Sequence, residues 1–248
     1  MKNDVGRLSI SFVMPMYNEK DNIAVTIDKV VMAARELTDD REIIVVDDGS
    51  TDGSGDIVDD LAKRDRTIRS FRLKENTKFG GAFAEGFRQA SKDVIMYMDS
   101  DMPVGIDDIR KSFPLIRDAA IVTGYSKIKK GDTLKRKFIS SVYNLMVRFL
   151  FGLDVKDINS GYKIVRRDFV KDLKFISKSP FIDVELFLHA KKKKAEVIQF
   201  PLIFNSRTGG KSYIARLPVI LATFRDMFKV WVRHKQRIHD EEIDNKRR

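Results

Sequence analysis

The sequence predicts an α/β protein with a mostly parallel sheet and helices on both faces. Three observations carry that expectation. Strand-length and helix-length segments alternate through the first hundred residues, the order that builds parallel sheets from βαβ units. The strongest strand candidates are continuous apolar runs, as strands buried on both faces must be. Three of the runs end abruptly in polar clusters, Tyr17-Asn18-Glu19, Asp47-Asp48 and Asp99-Ser100-Asp101, at the carboxyl ends where open α/β sheets hold ligands.

Residues 8–14 alternate well enough for a strand, and Pro15, which cannot donate to a ladder, is expected to stop it. After the loop Pro15-Met16-Tyr17-Asn18-Glu19, residues Ile23, Ile27, Val30, Val31, Ala34 and Leu37 recur at i, i+4, i+7, i+8, i+11 and i+14, one face of a helix. Residues 42–46 form a second strand ending in Asp47-Asp48-Gly49-Ser50, and a helix follows from about Gly53. A strand near 68–73 comes next, then a helix opened by Gly80-Gly81 that reaches about Ser91. The run Val94-Ile95-Met96-Tyr97-Met98 is the strand around which the rest is organised, because Asp99 and Asp101 follow it one residue apart. In extended chain residues i and i+2 point the same way, so both carboxylates can reach one hard cation. Alone, an Asp-x-Asp is also an ordinary acidic turn. Its place beside two other polar strand ends makes it a candidate site.

The second half is basic where the first is acidic. Lys127, Lys129, Lys130, Lys135, Arg136 and Lys137 surround the start of a helix near Thr133, and Arg148, Arg166, Arg167 and Arg207 follow. On that helix Phe138, Val142, Leu145, Met146, Phe149 and Leu150 form an apolar stripe bordered by cations, the pattern of a segment lying in a membrane interface, though core packing uses such stripes too. A second such helix carries Leu217, Ile220, Leu221, Phe224, Met227, Phe228, Trp231 and Val232, interrupted by Arg225, Asp226 and Lys229. Trp231 beside Arg233, His234 and Lys235 fits an interface anchor. The expected organisation is one catalytic domain over 1–215, an amphipathic interface helix over 216–236 and a polar tail over 237–248.

Composition removes several classes. With no cysteine there are no disulfides and no thiolate metal sites, which favours a reducing compartment. The three histidines have no metal-ligand spacing. The first residues carry no long apolar core before Pro15 and no stretch reaches the ~18 apolar residues of a spanning helix, so a cytoplasmic, non-spanning protein is expected. The net charge of +11 favours anionic partners, yet no nucleic-acid module is present, so phosphates and an anionic membrane face are expected and nucleic acid is not. The dinucleotide fingerprint is missing after the first strand, against a dehydrogenase. Gly209-Gly210-Lys211-Ser212 imitates a P-loop end, but Asn205 stands where its first glycine belongs.

The motifs Pro15-Met16-Tyr17-Asn18-Glu19, Val45-Val46-Asp47-Asp48-Gly49-Ser50-Thr51-Asp52 and Asp99-Ser100-Asp101 resemble those of family 2 glycosyltransferases with the GT-A fold. Asp157-Ile158-Asn159-Ser160-Gly161-Tyr162-Lys163 is similar to the D-x-x-S-G-F-R segment of polyprenyl-phosphate glycosyltransferases, and Arg207-Thr208-Gly209-Gly210-Lys211-Ser212 to their R-x-x-G-x-S segment. The resemblance, to dolichol-phosphate mannose and glucose synthases, covers roughly 8–230. It implies a metal-dependent, inverting transfer of a hexose from GDP-mannose or UDP-glucose to a polyprenyl or dolichyl phosphate at the cytoplasmic membrane face. It further implies that Pro15, Tyr17, Glu19, Val45, Asp47 and Asp48, with Asp99 and Ser100, bind the nucleotide sugar, and that Asp99 and Asp101 hold Mg²⁺ or Mn²⁺. Asp183 or Glu185 would orient sugar hydroxyls; Arg136, Arg207 and Lys211 would receive the phosphates. Pro103 and Tyr213 replace the glutamine and lysine usual in parts of that family. A separate membrane-anchoring partner belongs to the same expectation, since many relatives continue into spanning helices. Two alternatives stand beside it: transfer to a sugar hydroxyl, and a non-catalytic nucleotide-binding adaptor at membranes.

Overall fold

The computed structural model describes residues 8–100, 104–126, 134–203 and 217–247, the side chains of 134–138 and 235–247 excepted. In chain order its elements are β1 (Ile10–Met16), α1 (Ile23–Leu37), β2 (Arg41–Asp47), α2 (Ser54–Arg64), β3 (Ile68–Arg72), α3 (Lys78–Gln89), β4 (Val94–Met98), α4 (Ile106–Ser112), β5 (Ile121–Ser126), α5 (Leu134–Phe151), β6 (Tyr162–Arg166), α6 (Arg167–Val170), α7 (Ile182–Lys192), β7 (Val197–Leu202) and α8 (Leu217–Arg247). Among the described residues seven strands form one sheet in the order β3-β2-β1-β4-β6-β5-β7. Only β6 runs against its neighbours β4 and β5; every other pairing is parallel.

The order reverses beside β1: the chain steps outward through β2 and β3, then returns to place β4 on the other side of β1. Open α/β sheets bind ligands at this switch point, beyond the carboxyl ends of the flanking strands. The register brings those ends level. Met16 pairs with Asp47, and Val13 pairs with Tyr97, so Asp99 follows at the height of Pro15.

Pro15 does not end the first strand, contrary to expectation. The Ile10 N–H donates to Asp40 O and the Met16 carbonyl accepts from Asp48 N–H, so even-numbered residues of β1 turn their polar groups toward β2. Pro15 is therefore aimed at β4, where pairing has already stopped at Val13. Its missing N–H leaves no gap in the ladder.

Strand alternation sorts the core into two layers. Phe12, Met14, Val45, Met96 and Met98 face α1, α2 and α4. Val13, Ile44, Val46, Ile95 and Tyr97 face α3, α7 and the inner residues of α5 and α8. The predicted face of α1 is the packed one, with Ile23, Ile27, Val30 and Ala34 buried. Helix α3 begins two residues earlier than expected. It has to approach closely: a Cβ on Gly80 would stand 2.4 Å from the Ser177 carbonyl oxygen.

The amphipathic helices are split between two roles. On α5, Val147 and Phe151 are buried while Val142, Leu145 and Phe149 are exposed, Phe149 to 86 %. On α8, Val219, Met227 and Val230 pack inward, whereas Leu217, Leu221, Phe224 and Phe228 line an exposed stripe at helical spacing. Helix α8 continues through 237–247, the residues read as a polar tail. Among the described residues no helix is long and apolar enough to cross a membrane.

Candidate active site

Two loops form the floor beyond β1 and β2, and one asparagine joins them. Asn18 takes a left-handed backbone, φ 55°, a conformation that Asn tolerates better than most residues. In that pose its N–H donates to Ser50 Oγ at 2.9 Å and its Oδ1 accepts from Thr51 N–H at 2.9 Å. The Lys20 N–H adds a bond to Asp52 Oδ2 at 3.0 Å. The Pro15–Glu19 and Asp47–Asp52 motifs are thus a single knitted surface, with Tyr17 39 % exposed upon it. Glu19 opens α1: its carbonyl accepts from Asn22 and Ile23, and its Oε2 from Asn22 Nδ2.

Asp47 and Asp48 point to opposite faces, as successive residues of an extended chain must. The Asp47 Oδ1 accepts from Ser50 N–H at 2.8 Å. Its Oδ2 lies where α2 comes nearest, and a Cβ on Gly55 would be 2.3 Å away. Asp48 turns toward α3 instead. Its Oδ1 accepts from the Thr77 N–H at 2.6 Å and hydroxyl at 2.7 Å, tying down the residue before that helix. Burial pushes the Asp48 carboxyl above the usual carboxylate range, against the Thr77 hydrogen bonds that favour its charge. Asp48 therefore anchors a helix entrance. Val45 sits below the rim, wholly buried in the core, and brings no side chain to the cleft.

Asp99 lies two strand spacings from Asp47, about 10 Å, with the end of β1 between them. Its N–H donates to the Gly161 carbonyl at 3.1 Å, and Oδ1 accepts from the Tyr97 hydroxyl at 3.1 Å. The carboxylate is partly exposed while Ser100 is buried. Asp101 lies outside the described residues, and so do Arg207, Lys211 and the side chain of Arg136. Among the described residues no three acidic, His or Cys side chains gather into a complete metal cage. The donor chemistry nevertheless suits Mg²⁺ or Mn²⁺, which are held by one or two carboxylates together with substrate phosphates rather than by an all-protein shell.

The acceptor-side acids are less open than their sequence position implies. Asp183, in the first turn of α7, is 2 % exposed, with Oδ1 2.9 Å from Lys163 Nζ and Oδ2 accepting from Asn159 Nδ2 at 3.1 Å. Burial raises its carboxyl, opposed by Lys163 and Asn159. Glu185 is also buried, and its two oxygens accept the N–H groups of Ile176 and Ser177 at 2.9 and 2.7 Å. Neither faces open space. Arg166 and Arg167, counted among the acceptor cations, stand at the far edge of the sheet because β6 is antiparallel: Arg166 pairs with Val94 at the start of β4 and bonds Asp168, and Arg167 donates to Ala90 O. A hollow lined by Arg117, Arg166 and Glu196 opens at that same far edge, away from the candidate site. Arg148 is paired with Asp154.

Sequence reasoning missed Asn18 as the joint between the two loops, although its type and place in P-M-Y-N-E signalled a turn. It also missed Lys163, which hydrophobic patterning had no reason to bury in a strand.

A polar floor thus lies at the switch point, with Asp47 and Asp99 at the ends of the two strands that flank β1. Residues 11–174 match the family described as Glycosyl transferase family 2. The chain belongs to that family. This glycosyltransferase is 28 % identical over 210 residues to the undecaprenyl-phosphate mannosyltransferase of Micrococcus luteus, covering 81 % of this chain and 85 % of the relative. It is 28 % identical over 214 residues to the undecaprenyl-phosphate 4-deoxy-4-formamido-L-arabinose transferase of Pectobacterium atrosepticum, covering 86 % of this chain and 64 % of that one. Its α/β architecture is the GT-A fold. Glucosyl-3-phosphoglycerate synthase from Mycobacterium tuberculosis, solved with Mn²⁺, UDP and phosphoglyceric acid, superposes with a TM-score of 0.65 at 18 % identity, over 88 % of this chain and 78 % of that one. A mannosyltransferase from Pyrobaculum calidifontis, solved with GDP-Man and Mn²⁺, gives 0.64 at 14 % identity, over 90 % and 64 %.

Proposed function

We propose that this glycosyltransferase moves a hexose from GDP-mannose or UDP-glucose to a polyprenyl phosphate, with inversion, at the cytoplasmic face of a membrane it touches peripherally. The observation that carries the donor half is the partly exposed Asp99 carboxylate at the switch point, level with the knitted loops of Tyr17 and Asp47. Tyr17 offers a ring for the base, and Asp47 and Glu19 offer acceptors for base N–H or ribose hydroxyls. Asp99, with Asp101, would hold Mg²⁺ or Mn²⁺, which when bound offsets charge developing on the leaving nucleoside diphosphate.

The acceptor half rests on the two relatives, both named for undecaprenyl phosphate, and on the exposed stripes of α5 and α8. Arg225, Lys229 and Arg233 form an exposed cationic row beside the α8 stripe, the charge arrangement that suits an anionic lipid surface. A phosphate oxygen of the lipid forms the new bond to the anomeric carbon as the bond to the nucleoside diphosphate breaks. That phosphate is ionised near neutral pH, so the site needs no strong base, in keeping with the enclosure of Asp183 and Glu185. It needs cations to bring two anions together, and Arg136, Arg207 and Lys211 are assigned that work. Incubation of the pure enzyme with a panel of UDP- and GDP-sugars, a polyprenyl phosphate and Mn²⁺ should yield a lipid-phosphate glycoside, lost with EDTA. Product on an oligosaccharide hydroxyl and none on the lipid phosphate would overturn the reading in favour of the alternative acceptor. Unchanged biological activity of an Asp99→Ala, Asp101→Ala chain would favour the adaptor.

A further inference from the structure

A lysine with no exposed surface stands behind the candidate metal aspartate. Lys163, in β6, pairs directly opposite Tyr97 of β4, and its Nζ lies 5.7 Å from the centroid of the Tyr97 ring. Nζ is also 2.9 Å from Asp183 Oδ1 and donates to the Ser160 carbonyl. The Asn159 amide completes the enclosure, donating to Asp183 Oδ2 at 3.1 Å and to the Pro180 carbonyl at 2.8 Å. Residues 159–163 are thereby fastened to the first turn of α7.

The same short segment grips Asp99 from two directions. Gly161, between Asn159 and Lys163, supplies the carbonyl that takes the Asp99 N–H. Tyr97, across the ladder from Lys163, supplies the hydroxyl that takes Asp99 Oδ1. Stability is a poor reason for keeping an ion pair here, because an apolar pair of similar volume is commonly as stable or more so. Burial raises the Asp183 carboxyl even with its partners in place, so the pair is held against a desolvation penalty. What an apolar pair would lack is direction. Charged groups with fixed hydrogen-bond geometry set the β6 turn and the Tyr97 ring in one place; methyl groups would not.

We propose that Lys163 is a positioning residue: its buried pair with Asp183 fixes the Gly161 carbonyl and the Tyr97 hydroxyl that orient Asp99 toward the metal and diphosphate. The proposal rests on reading Asp99 as a metal ligand. Groups that orient a ligating carboxylate are worth about 10- to 100-fold in metal affinity or activity. The decisive variant is the double substitution Lys163→Met, Asp183→Leu. Mn²⁺ binding in the presence of UDP or GDP is followed by the paramagnetic resonance of free Mn²⁺, with the thermal midpoint measured without metal. The expected result is a midpoint near that of the parent, Mn²⁺ affinity about 10- to 100-fold weaker, and kcat lowered to match while the KM for lipid phosphate stays put. A double variant that recovers both the midpoint and the parent's Mn²⁺ affinity would overturn the proposal. Should the double variant not fold, Tyr97→Phe removes only the hydroxyl and is expected to weaken Mn²⁺ about 10-fold; unchanged affinity there overturns it as well. Asp99→Asn separates the two levels. Undiminished Mn²⁺ binding in that variant removes the function reading and this proposal together, whereas loss there with parental binding in the other variants removes this proposal alone.

Discussion

Glu42 and Asp99 stand at opposite edges of the sheet in different conditions. At the amino edge Glu42 is buried and takes hydrogen bonds from Ser11 Oγ at 2.6 Å, from the Ser91 N–H and hydroxyl at 2.7 and 2.9 Å, and from Arg69 at 2.6 Å. Asp93, although exposed, takes both the N–H and the hydroxyl of Ser9 on its Oδ2. At the carboxyl edge Asp99 remains partly exposed, its Oδ1 accepting from the Tyr97 hydroxyl, beside loops that join one another. A carboxylate buried among donors of its own chain stabilises the fold; one that keeps surface open to solvent is within reach of a ligand. The edges teach that acid content at a strand end says little until its partners are counted.

Four measurements would break or sharpen that contrast. The largest effect belongs to Asp99→Asn, expected to lower kcat/KM for transfer on the order of 10³-fold while the thermal midpoint stays within about 2 °C. A falling midpoint with activity retained would erase the distinction. Next is Glu42→Ala at the amino edge, which takes the carboxylate from Arg69 and the acceptor from the Ser11 hydroxyl and the Ser91 N–H and hydroxyl. It should lose about 3 kcal/mol in urea unfolding, with kcat per folded molecule unchanged.

The same contrast runs through α8, between its buried side and its exposed stripe. Phe228→Asp, on the exposed stripe, should weaken sedimentation with anionic vesicles by about 10- to 100-fold, with folding stability altered by no more than about 0.5 kcal/mol. Asp226, two residues earlier, accepts the N–H groups of Lys178 and Ser179 at 3.2 and 3.1 Å and belongs to the fold instead. The smallest effect is in pH dependence. Burial alone would raise the Glu42 carboxyl, but the hydrogen bonds of Ser11, Ser91 and Arg69 prevail and lower it. Its contribution is present above the ordinary carboxylate pKa and lost as pH falls through the lowered folded value. Asp48 has the opposite sign. Its carboxyl is raised by burial, so its contribution is present below the ordinary value and lost as pH rises through the raised one. Glu42→Gln should therefore flatten the acid limb of stability against pH, and Asp48→Asn should instead remove a decline toward neutral pH; urea midpoints from pH 3 to 7 read both.

Much of this was legible in the chain. The apolar run before Asp99 and the face of α1 follow from local geometry, so β4 and α1 lie where periodicity put them. Strands β5, β6 and β7 drew no such reading, since short β-branched runs in a basic half resemble helix segments as readily. The reversal of β6 could not be read at all, and it moved Arg166 and Arg167 to the wrong edge for an acceptor phosphate. Asp226 looked like a charge interrupting an apolar stripe, and its inward bond to residues 47 and 48 positions earlier explains it.

The sequence alone determined the strands and helices of the first hundred residues and which acids stand at their strand ends, because those depend on periods of two and 3.6 residues and on where apolar runs stop. Which of those acids is buried among partners and which keeps an exposed face was decided by the tertiary structure. Thr77 on Asp48, Lys163 on Asp183 and Ser91 on Glu42 are meetings between residues 20 to 49 apart in the chain. Packing brings such partners together, and no local pattern records them.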